Sequence, residues 1–173
     1  MQALTFWKTV AMDEANLLER LIALLAEEGV RYCVIGGQAV NAYVEPLVSL
    51  DLDLVPAPGE LERVEGLLAP PLKVERFPHS LNVSQPGSDL RIQFQTDPRY
   101  AEFPARAQQR RVLGMELPVA QPEDVLQGKV WAASDSTRRP TKRQKDLADI
   151  ARLLEAYPHL RSQVPADLLA RLL

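Results

Sequence analysis

The chain has 173 residues, of which 46% are apolar, and a formal net charge of −3 at pH 7. This length predicts one domain, or a domain with a helical extension, and the apolar share is enough for a core. The negative charge excludes a surface that is basic throughout, so any contact with a nucleic acid requires a local cationic patch.

The N-terminal sequence MQALTFWK lacks the apolar run and the small-residue cleavage site of a signal peptide. No apolar stretch reaches the length of a membrane span. The single cysteine, Cys33, lies within an apolar stretch and is expected to be a buried small hydrophobic residue. We therefore expect a cytoplasmic protein without a membrane partner.

A first helix is predicted from leucines that recur at helical spacing between Leu17 and Leu25. Asp13 is suited to cap this helix, and Gly29 is suited to end it. An apolar strand over residues 30–35 follows.

A glycine pair, Gly36 and Gly37, comes directly after that strand. Residues 38–43 predict a short helix, and residues 48–55 predict a second strand. Glycines at a strand-to-helix turn allow backbones to approach closely, and the helix N-terminus offers free N–H groups to an anion. This turn is therefore a candidate phosphate site.

The second strand carries two acidic side chains. Side chains alternate between the faces of a strand, so Ser49, Asp51 and Asp53 share one side while the intervening leucines enter the core. Two adjacent carboxylates oppose each other's ionisation unless a cation lies between them. A hard ion such as Mg²⁺ prefers oxygen ligands and retains positions for water and phosphate. The stretch from the glycine pair to Asp53 thus predicts a metal-and-phosphate site.

Each half of this site has a simpler interpretation. A glycine pair after a strand is usually only a tight turn. An Asp-x-Asp sequence alone is more often a solvated strand edge whose charges discourage pairing between sheets. The order of the two motifs and their short separation favour the joint site.

The rest of the chain alternates strands and helices, and the clearest strand is DLRIQFQ, whose apolar and polar residues alternate strictly. The predicted elements are a helix over 61–68, strands over 72–77, 80–84 and 89–95, a partly helical segment over 100–109, a hairpin over 112–119 about Gly114, and helices over 122–133, 142–156 and from Pro165 onward.

A cationic run precedes and begins the penultimate helix. Its members are Arg138, Arg139, Lys142, Arg143 and Lys145. Such a run is either a solvated face or a contact for the phosphates of a nucleotide or an RNA, which supplies affinity without base information.

Two acids in the same helix lie three positions apart. Asp146 and Asp149 share a helix face, where Lys142 and Lys145 are available as partners, so an intrahelical ion-pair lattice is the simpler interpretation. Lys129, in an otherwise apolar helix, either extends its ammonium to water or reaches a phosphate.

Together these motifs resemble the nucleotidyltransferase superfold, and within it the AbiEii-type toxins of bacterial toxin–antitoxin systems. The resemblance covers about residues 13–155. It rests on Gly36-Gly37-x-Ala39, Ser49-x-Asp51-x-Asp53, Lys129-x-x-Ala132 and Lys145-Asp146-x-x-Asp149.

The resemblance implies an α+β fold in which helices flank a mixed sheet, with a core over residues 1–120 and a helical C-terminal part over 121–173. It implies nucleotidyl transfer from a nucleoside triphosphate to a hydroxyl, on tRNA or another RNA, with pyrophosphate leaving. It also implies a cognate antitoxin protein as a partner. RNA contacts would come from Arg138, Arg139, Lys142 and Arg143.

The resemblance also assigns roles to residues. Asp51 and Asp53 would bind Mg²⁺ or Mn²⁺ and, with Lys129 and Asp146, form the catalytic set. Substrate-binding residues would be Gly36, Gly37, Ser49, Lys145 and Asp149.

The chain departs from the family pattern at two positions. Where active members carry a third carboxylate on a later strand, this sequence has Gln93, and an amide neither accepts a proton at neutral pH nor adds charge for a second metal. Asp89 lies about 13 Å away along that strand, while Glu75 and Asp97 are other candidates. Leu47 replaces an arginine common in relatives. The alternatives are a degenerate relative that binds nucleotide or partner without catalysis, and a plain structural protein.

Overall fold

The computed structural model describes residues 16–172, which form a mixed seven-stranded sheet with helices packed on it. The strands are β1 (Tyr32–Ile35), β2 (Asp51–Pro56), β3 (Lys73–Phe77), β4 (Ser80–Ser84), β5 (Arg91–Gln95), β6 (Gln108–Val112) and β7 (Met115–Val119). The helices are α1 (Leu17–Glu27), α2 (Gly36–Tyr43), α3 (Leu61–Leu68), α4 (Pro122–Ser134), α5 (Pro140–Ala156) and α6 (Ala166–Leu169). Short 3₁₀ segments lie at Pro98–Tyr100, Pro104–Arg106 and Pro158–Gln163.

Strand β2 lies at the centre of the sheet, whose order is β3-β4-β5-β2-β1-β7-β6. It is antiparallel to β1 and parallel to β5, while β1 is parallel to β7. Strands β3, β4 and β5 form an antiparallel meander, and β6 and β7 form a hairpin. The acidic strand therefore has a neighbour on each side, and these neighbours fix the surroundings of its side chains.

The two faces of β2 differ as the alternation predicts. Leu52 and Leu54 are fully buried in the core, together with four leucines of α1, Leu17, Leu18, Leu21 and Leu25. Asp51 and Asp53 are partly buried and face the other way, toward cavities that are also lined by side chains of α4 and α5. Helix α2 contacts β2, α4 and α5, so these three helices surround the acidic face.

Strand β2 begins at Asp51 rather than at residue 48, which corrects the predicted start. The backbone of Leu47 is engaged elsewhere: its N–H donates to Asn41 Oδ1 at 3.0 Å, and its carbonyl accepts from Asn41 Nδ2 at 2.7 Å. Ser49 consequently lies in the loop that leads into β2. The predicted cap Asp13 lies outside the described residues.

The segment predicted to be partly helical has only two 3₁₀ turns, and the hairpin is longer than expected. Strand β6 pairs along its whole length with β7, from Gln108 opposite Val119 to Val112 opposite Met115. All of its residues but the last are exposed, so no alternation marks it as a strand. None of the helices in residues 16–172 is long and apolar enough to cross a membrane.

Candidate active site

The glycine turn contacts the acidic strand directly. Ile35 ends β1 opposite Asp53 in the antiparallel register, and Gly36 begins α2 with φ of 68°. A Cβ added at Gly36 would overlap Asp53 Oδ2 and lie 3.1 Å from the Cβ and Cγ atoms of Asp53. Glycine is needed here both for the left-handed backbone and for the close approach of the carboxylate.

Ser49 lies beside the second glycine. Its Oγ is 3.9 Å from where a Cβ of Gly37 would be, and this Oγ accepts a hydrogen bond from the Asp51 N–H at 3.3 Å. The Ser49 carbonyl accepts from Gln38 Nε2 at 3.2 Å. The loop before β2 is thereby held against the first turn of α2, where backbone N–H groups are available to an anion. The structure brings the glycine pair, Ser49 and the two aspartates together.

Asp51 has two cationic partners. Arg91 Nε lies 2.7 Å from Asp51 Oδ1, and Lys142 Nζ lies 3.3 Å from Asp51 Oδ2. Arg91 comes from β5, where it is in register with Asp51, and Lys142 comes from α5. The carboxylate is therefore neutralised by the protein itself.

Asp53 is more sheltered and is not paired in this way. Burial raises its pKa to about 6, and the negative charge of Asp51 adds to this effect, while Lys129, Arg138 and Lys142 oppose it. Within residues 16–172 no salt bridge joins Asp53 to a cation. Its ionised form would gain from a cation placed against it.

A buried ion network links α4 to α5. Lys129 Nζ lies 3.2 Å from Asp146 Oδ1 and 2.8 Å from Asp149 Oδ2. Arg138 Nε contacts Asp146 Oδ2 at 2.6 Å, and Arg152 contacts Asp149 Oδ1 at 2.8 Å. Burial disfavours the Lys129 ammonium, but Asp149 and Asp146 together hold its pKa above the usual value. The buried lysine is therefore cationic.

The observed partners of Asp146 and Asp149 differ from the expected ones. Lys142 and Lys145 were the expected partners, but Lys142 turns to Asp51 and Lys145 is exposed. Arg152, which the sequence did not single out, also donates to Asn41 Oδ1 at 3.1 Å and to the Glu45 carbonyl at 2.6 Å. The network thus extends to the loop that carries Ser49.

Two adjoining cavities share Asp53, Gln93 and Arg138 in their walls. The inner one, of about 130 Å³, is also lined by Gly36 and Lys129 and by the aromatic side chains of Tyr100 and Phe103. The outer one, of about 400 Å³, spreads over β5, β4 and β3 and includes Asp51. The glycine turn and both aspartates therefore adjoin the same pair of cavities.

The strand beside Asp53 offers no acid to the site. Gln93 on β5 is in register with Asp53, and Asn82 on β4 is in register with Gln93. Glu75 on β3 comes next in this row and lines the outer cavity, three strand spacings or about 14 Å from Asp53. Asp97 caps a 3₁₀ turn by accepting from the Arg99 N–H, and neither it nor Asp89 lines either cavity.

The donor set fits one hard cation. Asp51 and Asp53 provide carboxylate oxygens, the ligand type that Mg²⁺ and Mn²⁺ prefer, and phosphates and water usually complete such a site. No group of three or more His, Cys, Asp or Glu side chains able to hold a metal occurs in the part of the chain that the structure describes.

The residues of the cationic run differ in where their side chains lie. Arg138 and Lys142 reach the cavities, whereas Arg139 and Lys145 are exposed. The Nε atom of Arg143 is buried and has no hydrogen-bond partner in the structure. Arg91 and Arg152 join these cations at the site, and their role depends on contacts across the sheet and between helices that local sequence does not reveal.

Comparison with known proteins points to nucleotide transfer. The family model described as Nucleotidyl transferase AbiEii toxin, Type IV TA system, matches residues 36–173. No curated protein matches the chain. The crystal structure of ANT(2")-Ia in complex with adenylyl-2"-tobramycin is similar with a TM-score of 0.61 and 16% identity, over 90% of this chain and 97% of that chain.

Two further structures share the fold. The lincomycin-bound lincosamide antibiotic adenylyltransferase LnuA has a TM-score of 0.53 and 12% identity, over 79% of this chain and 95% of that chain. An antigenic nucleotidyltransferase-like protein from Paracoccidioides brasiliensis has a TM-score of 0.50 and 18% identity, over 96% and 91% of the two chains. The expected α+β, nucleotidyltransferase-like fold is confirmed.

Proposed function

The chain belongs to the AbiEii family of nucleotidyl transferases, and we propose that it transfers a nucleotide from a nucleoside triphosphate to a hydroxyl acceptor. The observation that carries this proposal is the junction at which Gly36 lies against Asp53. A helix N-terminus for phosphate and two carboxylates for a cation are adjacent there, and both adjoin the same cavities. A nucleoside triphosphate substrate favours action in the cytoplasm.

In the proposed complex the first turn of α2 and the Ser49 hydroxyl hold the triphosphate. Gly36 and Gly37 present backbone N–H groups without side chains that would obstruct phosphate. Asp51 and Asp53 hold Mg²⁺ or Mn²⁺, which when bound neutralises charge on the phosphate oxygens. The acceptor oxygen bonds to the α-phosphorus, the bond to the β-phosphate oxygen breaks, and pyrophosphate and a proton are released.

The buried network has a supporting part in this proposal. Lys129 lines the inner cavity next to Asp53 and offers its ammonium to a phosphate oxygen. Asp146 and Asp149 hold that ammonium in position, since each has a carboxylate oxygen within 3.2 Å of Lys129 Nζ. Lys145, exposed on α5, is proposed to contact the substrate outside the cavities.

An RNA acceptor, tRNA among them, is proposed from the cations beside the outer cavity. Arg138 and Lys142 line that cavity, Arg139 is exposed at the start of α5, and Arg143 has an Nε atom without a partner in the structure. Such a cluster supplies phosphate contacts on a chain that is acidic overall. Family membership further supports a role as the toxin half of a pair with an antitoxin protein.

The test is label transfer. The purified protein is incubated with each α-³²P nucleoside triphosphate, Mg²⁺ or Mn²⁺, and total RNA, beside Asp51→Asn and Asp53→Asn variants that keep side-chain shape. Asp167→Asn, at an exposed carboxylate of α6, is the matched control. We expect transfer by the native protein and the control and none by the two site variants. Transfer that persists in both site variants would place the chemistry elsewhere.

A second candidate function is nucleotide binding without transfer. Gln93 beside Asp53 favours it, because an amide does not take a proton from a hydroxyl at neutral pH. This alternative predicts a rise in thermal stability with nucleoside triphosphate and Mg²⁺ that Asp53→Asn abolishes, with no label transfer to any acceptor.

A further inference from the structure

The number of divalent ions that this site can hold depends on the charges around Asp51 and Asp53. Enzymes that use two ions for phosphoryl transfer hold them about 3.5–4 Å apart, and carboxylates offset their combined charge. Strand β2 supplies two carboxylates. Further charges near these carboxylates come from the neighbouring strand β5 and from helix α5.

Strand β5 supplies a cation and an amide. Its parallel register sets Arg91 opposite Asp51 and Gln93 opposite Asp53. The next strand adds the amide of Asn82 and the hydroxyl of Ser84, and the first acid in this direction is Glu75, which Lys73 already engages at 2.8 Å. Next to the two aspartates the sheet therefore offers a second ion the guanidinium of Arg91 and the neutral side-chain oxygens of its polar residues, but no unpaired carboxylate.

Helix α5 adds the ammonium of Lys142 to the contacts of Asp51. Lys142 Nζ lies 3.3 Å from Asp51 Oδ2, while Arg91 Nε holds Asp51 Oδ1 at 2.7 Å. Each oxygen of Asp51 thus has a cation within hydrogen-bonding range. A carboxylate has about four lone-pair sites, so Asp51 can still share one divalent ion with Asp53, whereas a second ion would have to displace Lys142 or Arg91 or lie against them.

We infer that this site takes one divalent ion, held by Asp53 with Asp51, and that Lys142 and Arg91 supply the positive charge that a second ion would bring. The inference rests on the proposed function, which requires a cation at these aspartates. It assigns Lys142 to the catalytic centre itself rather than only to an RNA-binding surface.

The test counts ions by magnetic coupling. Two Mn²⁺ ions about 4 Å apart are spin-coupled, whereas a single bound Mn²⁺ is not. Low-temperature EPR is recorded on the full chain with Mn²⁺ and the α,β-methylene analogues of ATP, GTP, CTP and UTP in turn. We expect an uncoupled signal and one protein-dependent Mn²⁺ for the native chain, and a coupled signal for the Gln93→Asp, Lys142→Gln double variant.

Arg161→Gln combined with Gln93→Asp is the matched control, because it removes an exposed cation of the C-terminal 3₁₀ segment that lines neither cavity. This control is expected to stay uncoupled. A coupled pair in the native chain, or no protein-bound Mn²⁺ with any analogue, would overturn the inference even if the double variant does not fold.

Label transfer measured on the same preparations separates this inference from the proposed function. A coupled pair together with transfer would mean that the enzyme uses two ions and that only the inference is wrong. One uncoupled ion without transfer to any acceptor would support the ion count and contradict the transfer reaction.

Discussion

Replacing Gly36 with alanine tests whether the contact between the glycine turn and the acidic strand governs activity. The added Cβ would overlap Asp53 Oδ2 and lie 3.1 Å from the Cβ and Cγ atoms of Asp53, whereas ordinary contacts begin at 3.4 Å. Gly36 also has φ of 68°, a conformation that costs an alanine about 1–2 kcal/mol. The variant must therefore move the carboxylate, the turn or both.

The expected magnitude follows from that displacement. Relieving the overlap shifts the carboxylate on the order of 1 Å, and a misplacement of that size costs about 100-fold in rate. We expect Gly36→Ala to lower kcat/KM for nucleotide transfer about 100-fold and the free energy of unfolding by about 1–2 kcal/mol. Initial rates of label transfer and urea denaturation measure the two quantities.

Gly66→Ala is the matched control. Gly66 lies within α3, where a Cβ would meet nothing within 4 Å, so alanine is expected to stabilise the helix by up to about 1 kcal/mol and leave the rate unchanged. If Gly36→Ala keeps the native rate, the close approach of the turn to Asp53 does not position the catalytic carboxylate. A loss of rate in Gly66→Ala as well would indicate a general loss of folding.

Three further changes probe the charged groups. Lys129→Met leaves Asp146 and Asp149 buried without their ammonium. The free energy of unfolding, measured by urea denaturation, should therefore fall by about 3–5 kcal/mol. A loss below about 1 kcal/mol would contradict a network that needs the lysine. Asp53→Asn should stabilise the metal-free protein by up to about 3 kcal/mol at pH 7, because the folded pKa of about 6 exceeds the reference value of 3.8. That gain should shrink below pH 6 and vanish near pH 4, and a gain independent of pH would show that charge is not its cause. Arg152→Lys loses the guanidinium fork that reaches the Glu45 carbonyl, so amide hydrogen exchange over residues 44–50 should accelerate; unchanged exchange would separate this loop from the network.

The parts of the fold that could be predicted are those set by local spacing. The run from the first strand through the glycine pair to the acidic strand is continuous in sequence, so alternation and turn chemistry were enough to place Gly36 near Asp53. The start of β2 was misjudged because Asn41 binds the backbone of Leu47, and side-chain capping of a loop leaves no periodic signal.

The charged partners could not be predicted because they are distant in sequence. Lys142 and Asp51 are 91 positions apart, and Arg152 reaches Asn41 across 111 positions. Helical spacing assigned Lys142 to Asp146 and Asp149, since local pairs are the only ones that a sequence displays. The packing of α5 against the acidic face turns this lysine toward Asp51 instead, and a buried partner from α4 takes its place.

The cations at the site are concentrated around one carboxylate. The two cavities are lined by five carboxylates and four cations, namely Asp51, Asp53, Glu75, Asp124 and Asp146 with Arg91, Lys129, Arg138 and Lys142. Two of these cations, Arg91 and Lys142, contact Asp51. Buried ion pairs often stabilise a fold no better than apolar residues would, so stability alone is a weak reason for such a cluster. Cations fixed in the cavity walls suit a polyanionic triphosphate, which arrives with one divalent ion and needs the rest of its charge offset by the protein. The two cations on Asp51 also disfavour a second ion, so the features that fit the site to a nucleotide also limit its metal content.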